Sequence, residues 1–345
     1  CDMKTTSVQL RGSFDVARLK ADLDTATEHF KSAPQVGKYH DGSWTGIGLR
    51  NFSGDHGNTL AAHTGHSKDT AVLEKCRYFK EVLDNIGCPV YVARILFLPP
   101  GKVIGEHTDA GFGWNYGMVR LHIPIVTDPR VEFSIGDEAV YWKPGEFWFG
   151  DFSKPHSLRN KSDVTRVHLV MDCPITAETL ELFPDAFIEQ VRSESDILQL
   201  NPVAMDEETL RAYCGTLVVR GPLLGLQVPI SGDVFVSDGM LAVKIRGLPI
   251  VYHFTPIGEH RFQCNTYELK WAKDPRQQDA SLVISKDYKT GKSQEVTVYR
   301  KQPMGVRLFS WVQRVLVGSV WAAYFGLLKL KRLFSGSKHV TEQVG

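Results

Sequence analysis

Residues 119–126 read Val119-Arg120-Leu121-His122-Ile123-Pro124-Ile125-Val126, and in them Arg120 and His122 alternate with apolar neighbours at the period of two that a strand imposes. Residues 166–172, Arg166-Val167-His168-Leu169-Val170-Met171-Asp172, repeat the pattern with Arg166 and His168 at the polar positions. Similar runs extend from Val90 to Leu98, Val131 to Ile135, Ala139 to Trp142 and Glu146 to Phe149. Turn signals at Pro99-Pro100-Gly101 and Lys143-Pro144-Gly145-Glu146 separate some of them. Short strands in such succession predict a mainly β fold, an antiparallel sandwich or open barrel, with helices packed outside it.

The flanking helices are read from a different period. Val16, Leu19, Leu23, Ala26 and Phe30 recur at threes and fours, as do Val72, Leu73, Cys76, Phe79, Val82, Leu83 and Ile86, after which Gly87 supplies a stop. The glycine- and serine-rich stretch 41–68 between them is predicted to be a long polar loop. The first domain is expected to occupy residues 1–175, followed by a helical linker over 176–205 that Pro184 interrupts. Short β runs such as Thr216 to Val219, Leu241 to Ile245 and Glu295 to Tyr299 predict a small β-meander or barrel over 206–302. Its His253 and His260 have no carboxylate or cysteine at ligand spacing and read as ordinary core or surface histidines.

The tail, 303–345, is apolar and basic, with fourteen uncharged residues from Val315 to Leu328. That is short of the ~20 needed to span a bilayer. Two readings stay open for it: an amphipathic helix making peripheral contact with an anionic membrane through 303–334, or a helix docked on a β domain.

Composition narrows the function classes. Forty basic residues against thirty-nine acidic leave a net charge of +1, so no global field favours nucleic acid. The six cysteines are scattered with no CxxC pair, which suits a reduced, cytoplasmic setting. The first thirty residues contain Asp15, Asp22, Asp24 and Glu28 and no apolar core of a signal peptide. Cys1-Asp2 reads as a processing remnant, although a mature lipoprotein also begins with cysteine.

The chemistry concentrates in His107-Thr108-Asp109 and His156. Residues two apart in an extended segment share a face, so His107 and Asp109 can reach one ion from a single strand end, with His156 supplied by a neighbouring strand. Two imidazoles and one carboxylate form the facial ligand set of non-heme Fe(II) oxygenases. An arginine facing into a barrel is costly unless it meets an anion, and a small dicarboxylate would serve Arg166. The competing reading puts Arg120 and Arg166 on a solvated face, and period two alone does not choose between them.

The whole order resembles the aspartyl/asparaginyl β-hydroxylase family. It runs from Leu98-Pro99-Pro100-Gly101-Lys102 through His107-Thr108-Asp109, Arg120-Leu121-His122-Ile123-Pro124 and Gly145-Glu146-Phe147-Trp148. It continues through Asp151-Phe152-Ser153-Lys154-Pro155-His156-Ser157-Leu158-Arg159-Asn160 to Arg166-Val167-His168-Leu169-Val170. The resemblance covers residues 90–173 closely and 14–89 loosely. It implies a double-stranded β-helix (cupin/jelly-roll-like) core, Fe(II) and O2, and 2-oxoglutarate as cosubstrate. It further implies hydroxylation of an unactivated C–H bond with release of succinate and CO2. Carried over by residue, His107, Asp109 and His156 become metal ligands and Arg166 the partner of the distal carboxylate of 2-oxoglutarate. Arg120, His122 and His168 fall beside the cosubstrate.

The peptide-directed animal members lack a carboxylate where Asp109 stands. Relatives acting on free proline retain it, and halogenating relatives empty the position. The expected substrate is therefore an amino acid or a residue of a small peptide, with a place in natural-product synthesis. A lipid acyl chain and a non-catalytic binding role are the alternatives. Trp44, Arg50, Trp114, Asn115 and Tyr116 are the candidate substrate contacts, since loops beside a metal strand commonly carry recognition.

Overall fold

A computed structural model describes residues 6–61, 67–109, 112–114, 117–194, 203–223, 226–237, 239–247, 251–264, 267–272, 281–286, 292–299, 303–316 and 318–319. The first part of the chain runs β1 (Ser7–Ser13), α1 (Val16–His29), β2 (Ala33–Pro34), β3 (Thr45–Asn51), β4 (Lys68–Asp69), α2 (Val72–Lys75) and α3 (Arg77–Asn85). It continues with β5 (Val92–Leu98), β6 (Val103–His107), β7 (Met118–Val126), β8 (Val131–Ile135), β9 (Glu138–Ala139), β10 (Glu146–Gly150), β11 (His156–Asn160) and β12 (Arg166–Pro174). Then come α4 (Ala177–Glu181) and α5 (Asp185–Glu194).

These strands form two antiparallel sheets, a large one ordered β1-β10-β7-β12-β5-β3-β2, with β4 beside β3, and a small one ordered β6-β11-β8-β9. Sequence-distant strands lie side by side in both, the arrangement of a double-stranded β-helix. The outer face of the large sheet carries Leu121, Ile123, Leu169, Met171 and Ile95, which pack with Leu19, Leu23, Phe79 and Val82 of the helices. The face toward the small sheet carries Arg94, Arg120, His122, Arg166 and His168, all buried. Both faces are therefore covered, and the solvated-arginine reading is excluded. Leu98, Ile104, Phe133, Ile135, Trp142, Phe152 and Leu158 make a second apolar cluster.

Four expectations need correction. The helix read from Val72 to Ile86 is two, because Cys76 adopts φ −99°, ψ 81°. Asp22 of α1 stabilises the break: its carboxylate accepts from Phe79 N–H at 2.8 Å and its carbonyl from Cys76 Sγ at 3.3 Å. The polar stretch 41–68 contains β3, a buried strand pairing with β5. Its Gly48 lets neighbouring backbone approach, since a Cβ there would lie 2.7 Å from Asn58 O. Of the run Ala139 to Trp142, only Ala139 lies in a strand and Val140 N–H donates to Phe133 O at 2.8 Å; Trp142 turns inward and stacks on Trp148 with ring centres 5.6 Å apart.

The stretch expected to act as a linker instead adds to the core, where Phe183, Phe187, Ile188 and Val191 are buried against the large sheet's outer face. Beyond it come α6 (Glu207–Arg211) and eight strands: β13 (Gly215–Leu223), β14 (Leu226–Ser237), β15 (Met240–Ile245), β16 (Val251–Gly258), β17 (Arg261–Cys264), β18 (Tyr267–Trp271), β19 (Ser281–Lys286) and β20 (Lys292–Tyr299). They close into an up-and-down barrel. Leu217, Val234, Leu241, Phe254, Phe262, Leu269, Trp271 and Val298 share its core with Leu210 of α6. Barrel and β-helix touch where Thr255 Oγ1 donates to Ile175 O at 3.1 Å and the Tyr91 and His253 rings lie 5.2 Å apart. Residues 304–316 are helical and lie against the barrel. No described helix is long and apolar enough to cross a membrane.

Candidate active site

Sheet register brings the two histidines together: β11 pairs antiparallel with β6 so that His156 stands opposite His107. Asp109, just beyond β6, is tied by its N–H to Phe152 O at 2.9 Å. The potential ligand atoms of His107, Asp109 and His156 all lie within 4.8 Å of one another. His107 Nε2 is 3.7 Å from Asp109 Oδ1 and His156 Nε2 is 3.9 Å from Oδ2. Each imidazole donates Nδ1–H to the carbonyl two residues earlier, His107 to Gly105 at 2.8 Å and His156 to Lys154 at 3.0 Å. Those bonds fix the tautomer that turns the Nε2 lone pair toward Asp109. Burial pushes the His156 imidazole down to about 4, so it is neutral and able to ligate at physiological pH. The donor set fits a divalent transition metal with open coordination positions.

Arg120 holds Asp109. Its guanidinium touches the Asp109 carboxylate and is gripped by Asp172 through Nε at 2.7 Å and Nη2 at 3.1 Å. Burial alone would lower its pKa, but Asp172 and Asp109 more than offset that and raise it. Arg120 thus stands beside the candidate ligand Asp109, with its charge answered by two carboxylates. Arg94 shares Asp172, with Nη2 at 3.4 Å, and burial brings its pKa down to about 10 despite that carboxylate.

Arg166 differs from both. It is 6% exposed, and among the described residues no carboxylate lies within ion-pair distance of it. Its Nη2 donates to His168 Nδ1 at 3.1 Å, and desolvation by burial lowers its pKa to about 9. Beside it the buried His122 Nε2, His168 Nε2 and Trp142 Nε1 have no hydrogen-bond partner. Burial and the Arg166 charge hold both histidines well below the usual range, hence neutral. A buried cation ringed by unpartnered polar atoms fits a small carboxylate. His122 reaches the metal ligands through Phe152, whose ring centre is 5.0 Å from His122 and 4.9 Å from His156.

The candidate substrate contacts divide. Trp44 lies near the ligands, 6.4 Å from the His107 ring. Arg50 does not: it ties β3 to β4 and α3 through Asp69 at 2.7 Å and Asp84 at 3.2 Å. Trp114, 3% exposed, packs in the core against Phe149, Phe183 and Phe187, because the chain turns that ring to the helix side of the large sheet. Asn115 and Tyr116 lie outside the described residues. Two neighbours of the site escaped the sequence reading. Tyr39 stacks on His107 with ring centres 3.9 Å apart, and burial and the Asp109 charge raise its pKa. Arg94 is the one charged residue in the apolar run Val90 to Leu98, and that signal would have found it.

The turn that leads from His156 to Arg166 is locked by Asn160, fully buried, whose amide donates to Leu98 O and Val164 O at 2.8 Å each while its oxygen accepts from Ser162. Asn160→Ala is expected to cost about 3 kcal/mol, since buried groups lose their partners. Urea denaturation reads this; a loss under ~1 kcal/mol would mean the turn is held otherwise.

Fold and candidate ligand set together define the class: a double-stranded β-helix protein with a His-X-Asp…His cluster that could hold a metal ion. The family comparison narrows this further. The sequence model of the aspartyl/asparaginyl beta-hydroxylase family matches residues 14–176 of this chain. An L-proline cis-4-hydroxylase of Rhizobium meliloti (strain 1021) is 29% identical over 182 residues, 52% of this chain and 62% of the relative's length. An L-proline cis-3-hydroxylase 2 of a Streptomyces species is 25% identical over 217 residues, 60% of this chain and 73% of that one. Among solved structures, a 2OG-Fe(II) oxygenase family oxidoreductase from Burkholderia pseudomallei is similar at TM-score 0.35 and 15% identity, over 49% of this chain and 86% of that one.

Proposed function

We propose that this chain is an Fe(II)- and 2-oxoglutarate-dependent hydroxylase of a free amino acid, with L-proline the first candidate. The observation that carries this reading is the pairing of the His107, Asp109 and His156 cluster with a buried guanidinium, Arg166, that no described carboxylate answers. His107, Asp109 and His156 would hold the iron, and Arg166 would take the distal carboxylate of 2-oxoglutarate. Arg120 would keep Asp109 turned toward the metal, while Phe133, Phe152 and Trp142 would keep water away. When bound, iron and 2-oxoglutarate supply the oxidising power that places oxygen on a C–H bond, with succinate and CO2 released. The proline hydroxylases among the relatives, together with Asp109, support an amino-acid substrate over an aspartyl peptide.

The test is succinate release from 2-oxoglutarate by the full chain with Fe(II), with and without L-proline, and mass spectrometry for a gain of one oxygen. Proline-dependent succinate with a hydroxyproline product is the expected outcome. Absence of both, from protein that binds Fe(II), would remove proline. A wider pool of amino acids and lipids in the same assay discriminates the remaining substrate classes.

Arg166→Leu is expected to weaken 2-oxoglutarate binding about a hundredfold or more, as when one member of a buried charge pair is removed. The same variant should be as stable as the parent or more so without cosubstrate, because an uncompensated buried charge has been replaced by an apolar side chain. Titration of 2-oxoglutarate and a thermal melt check the two halves. Unchanged affinity would move the carboxylate to another residue.

A further inference from the structure

We propose that the helix over residues 304–316 seats this chain on an anionic lipid bilayer, a proposal independent of the reaction. The helix is attached to the barrel through Gln313. Ser310 and Gln313 are 3% and 7% exposed. The Gln313 amide oxygen accepts from Ser231 N at 2.7 Å and Ser231 Oγ at 2.9 Å, and its nitrogen donates to Ser231 O at 3.1 Å and Arg246 O at 2.9 Å. The opposite side is apolar and in solvent: Met304 is 87% exposed, Leu308 66%, Trp311 64% and Leu316 63%. The covered side is mixed, with Val306 and Phe309 partly buried beside Ser310 and Gln313, while the longer apolar stripe faces solvent, contrary to what a helix of a water-bounded surface presents. Met304, Leu308, Trp311, Val312, Val315 and Leu316 are six of the eleven exposed large hydrophobic residues among those described, so the apolar surface is concentrated in one patch.

Charge selects the partner. At about 100° per residue, Arg307 and Arg314 fall together along one edge of the apolar stripe, and both are exposed. From Val296 to Thr341 the chain carries lysines and arginines but no aspartate or glutamate, although its overall net charge is only +1. A convex apolar ridge edged with arginine, with tryptophan at its centre, matches the boundary between acyl chains and anionic headgroups. A second copy laid on the same ridge would meet arginines with no carboxylate to receive them. The uncharged run from Val315 to Leu328 has fourteen residues, short of the ~20 of a span, so contact lies in the interface rather than across it.

The experiment is flotation of the full chain with vesicles of phosphatidylcholine alone and of phosphatidylcholine with phosphatidylglycerol. Wild type should float with the anionic vesicles and stay behind with the neutral ones. Leu308→Gln with Trp311→Gln, and separately Arg307→Glu with Arg314→Glu, should each lower the vesicle-bound fraction about tenfold or more. These side chains are exposed, so both variants should keep the parent's melting temperature. The proposal is overturned if wild type fails to float, if it floats equally with both vesicles, or if either double variant floats as well as the parent. It is also overturned if light scattering shows a dimer that the Trp311→Gln variant dissolves and vesicles go unbound, which would assign the face to a second copy.

Discussion

Asp172→Ala is expected to lower the unfolding free energy by about 3–5 kcal/mol, as when one member of a buried ion pair is removed and its partner is left behind. Asp172 is fully buried, and its carboxylate answers two guanidiniums, Arg120 at 2.7 Å and Arg94 at 3.4 Å. Without it Arg120 keeps Asp109 as its carboxylate and the Phe112 ring at 4.0 Å, and Arg94 keeps the carbonyl of Thr59 at 3.1 Å. Asp172→Asn retains the shape and one acceptor and should fall between the two. Chemical denaturation measures both, and a loss below ~1 kcal/mol for the alanine variant would show that water or rearrangement compensates the arginines. Turnover should fall as well, because Arg120 then has no anchor from which to hold Asp109.

His107→Ala is expected to abolish metal binding and reduce succinate formation to background. The reason is geometric: a facial site has three protein ligands, and the imidazole removed is the one whose orientation the Gly105 carbonyl fixes and the Tyr39 ring covers. His122 and His168 engage each other and Arg166 through their Nδ1 atoms, so neither stands in the place of the lost imidazole. Anaerobic Fe(II) titration and succinate detection read the two consequences separately. Parental succinate output from this variant would overturn the ligand assignment, while retained folding by circular dichroism excludes simple collapse.

The candidate ligand residues were legible because the pattern that singles them out is local. His107 and Asp109 stand two apart on one extended segment, and period-two alternation marked Arg120, His122, Arg166 and His168 as a set. The helix over Val16–His29 and the strands β7, β8, β10 and β12 also followed from periodicity, because each buries an apolar face along its whole length. Other elements carried misleading composition. The glycines of β3 read as loop although they serve close backbone packing, and Cys76 interrupts a helical period that continues across it. Arg50 and Trp114 looked like recognition residues by position alone. One is consumed by Asp69 and Asp84, the other by aromatic packing.

By itself the sequence determined which side chains alternate, which types can ligate a metal, and that a basic apolar tail follows a β-rich chain. Tertiary structure decided which faces of the large sheet are inside, because a two-residue period is the same whichever side meets the core. It also decided that His156 pairs with His107, that Asp172 consumes the charges of Arg94 and Arg120 while Arg166 meets no carboxylate among the described residues, and that the last described helix docks through Gln313. Each of these depends on contacts between residues far apart in the chain, and local periodicity contains no term for them.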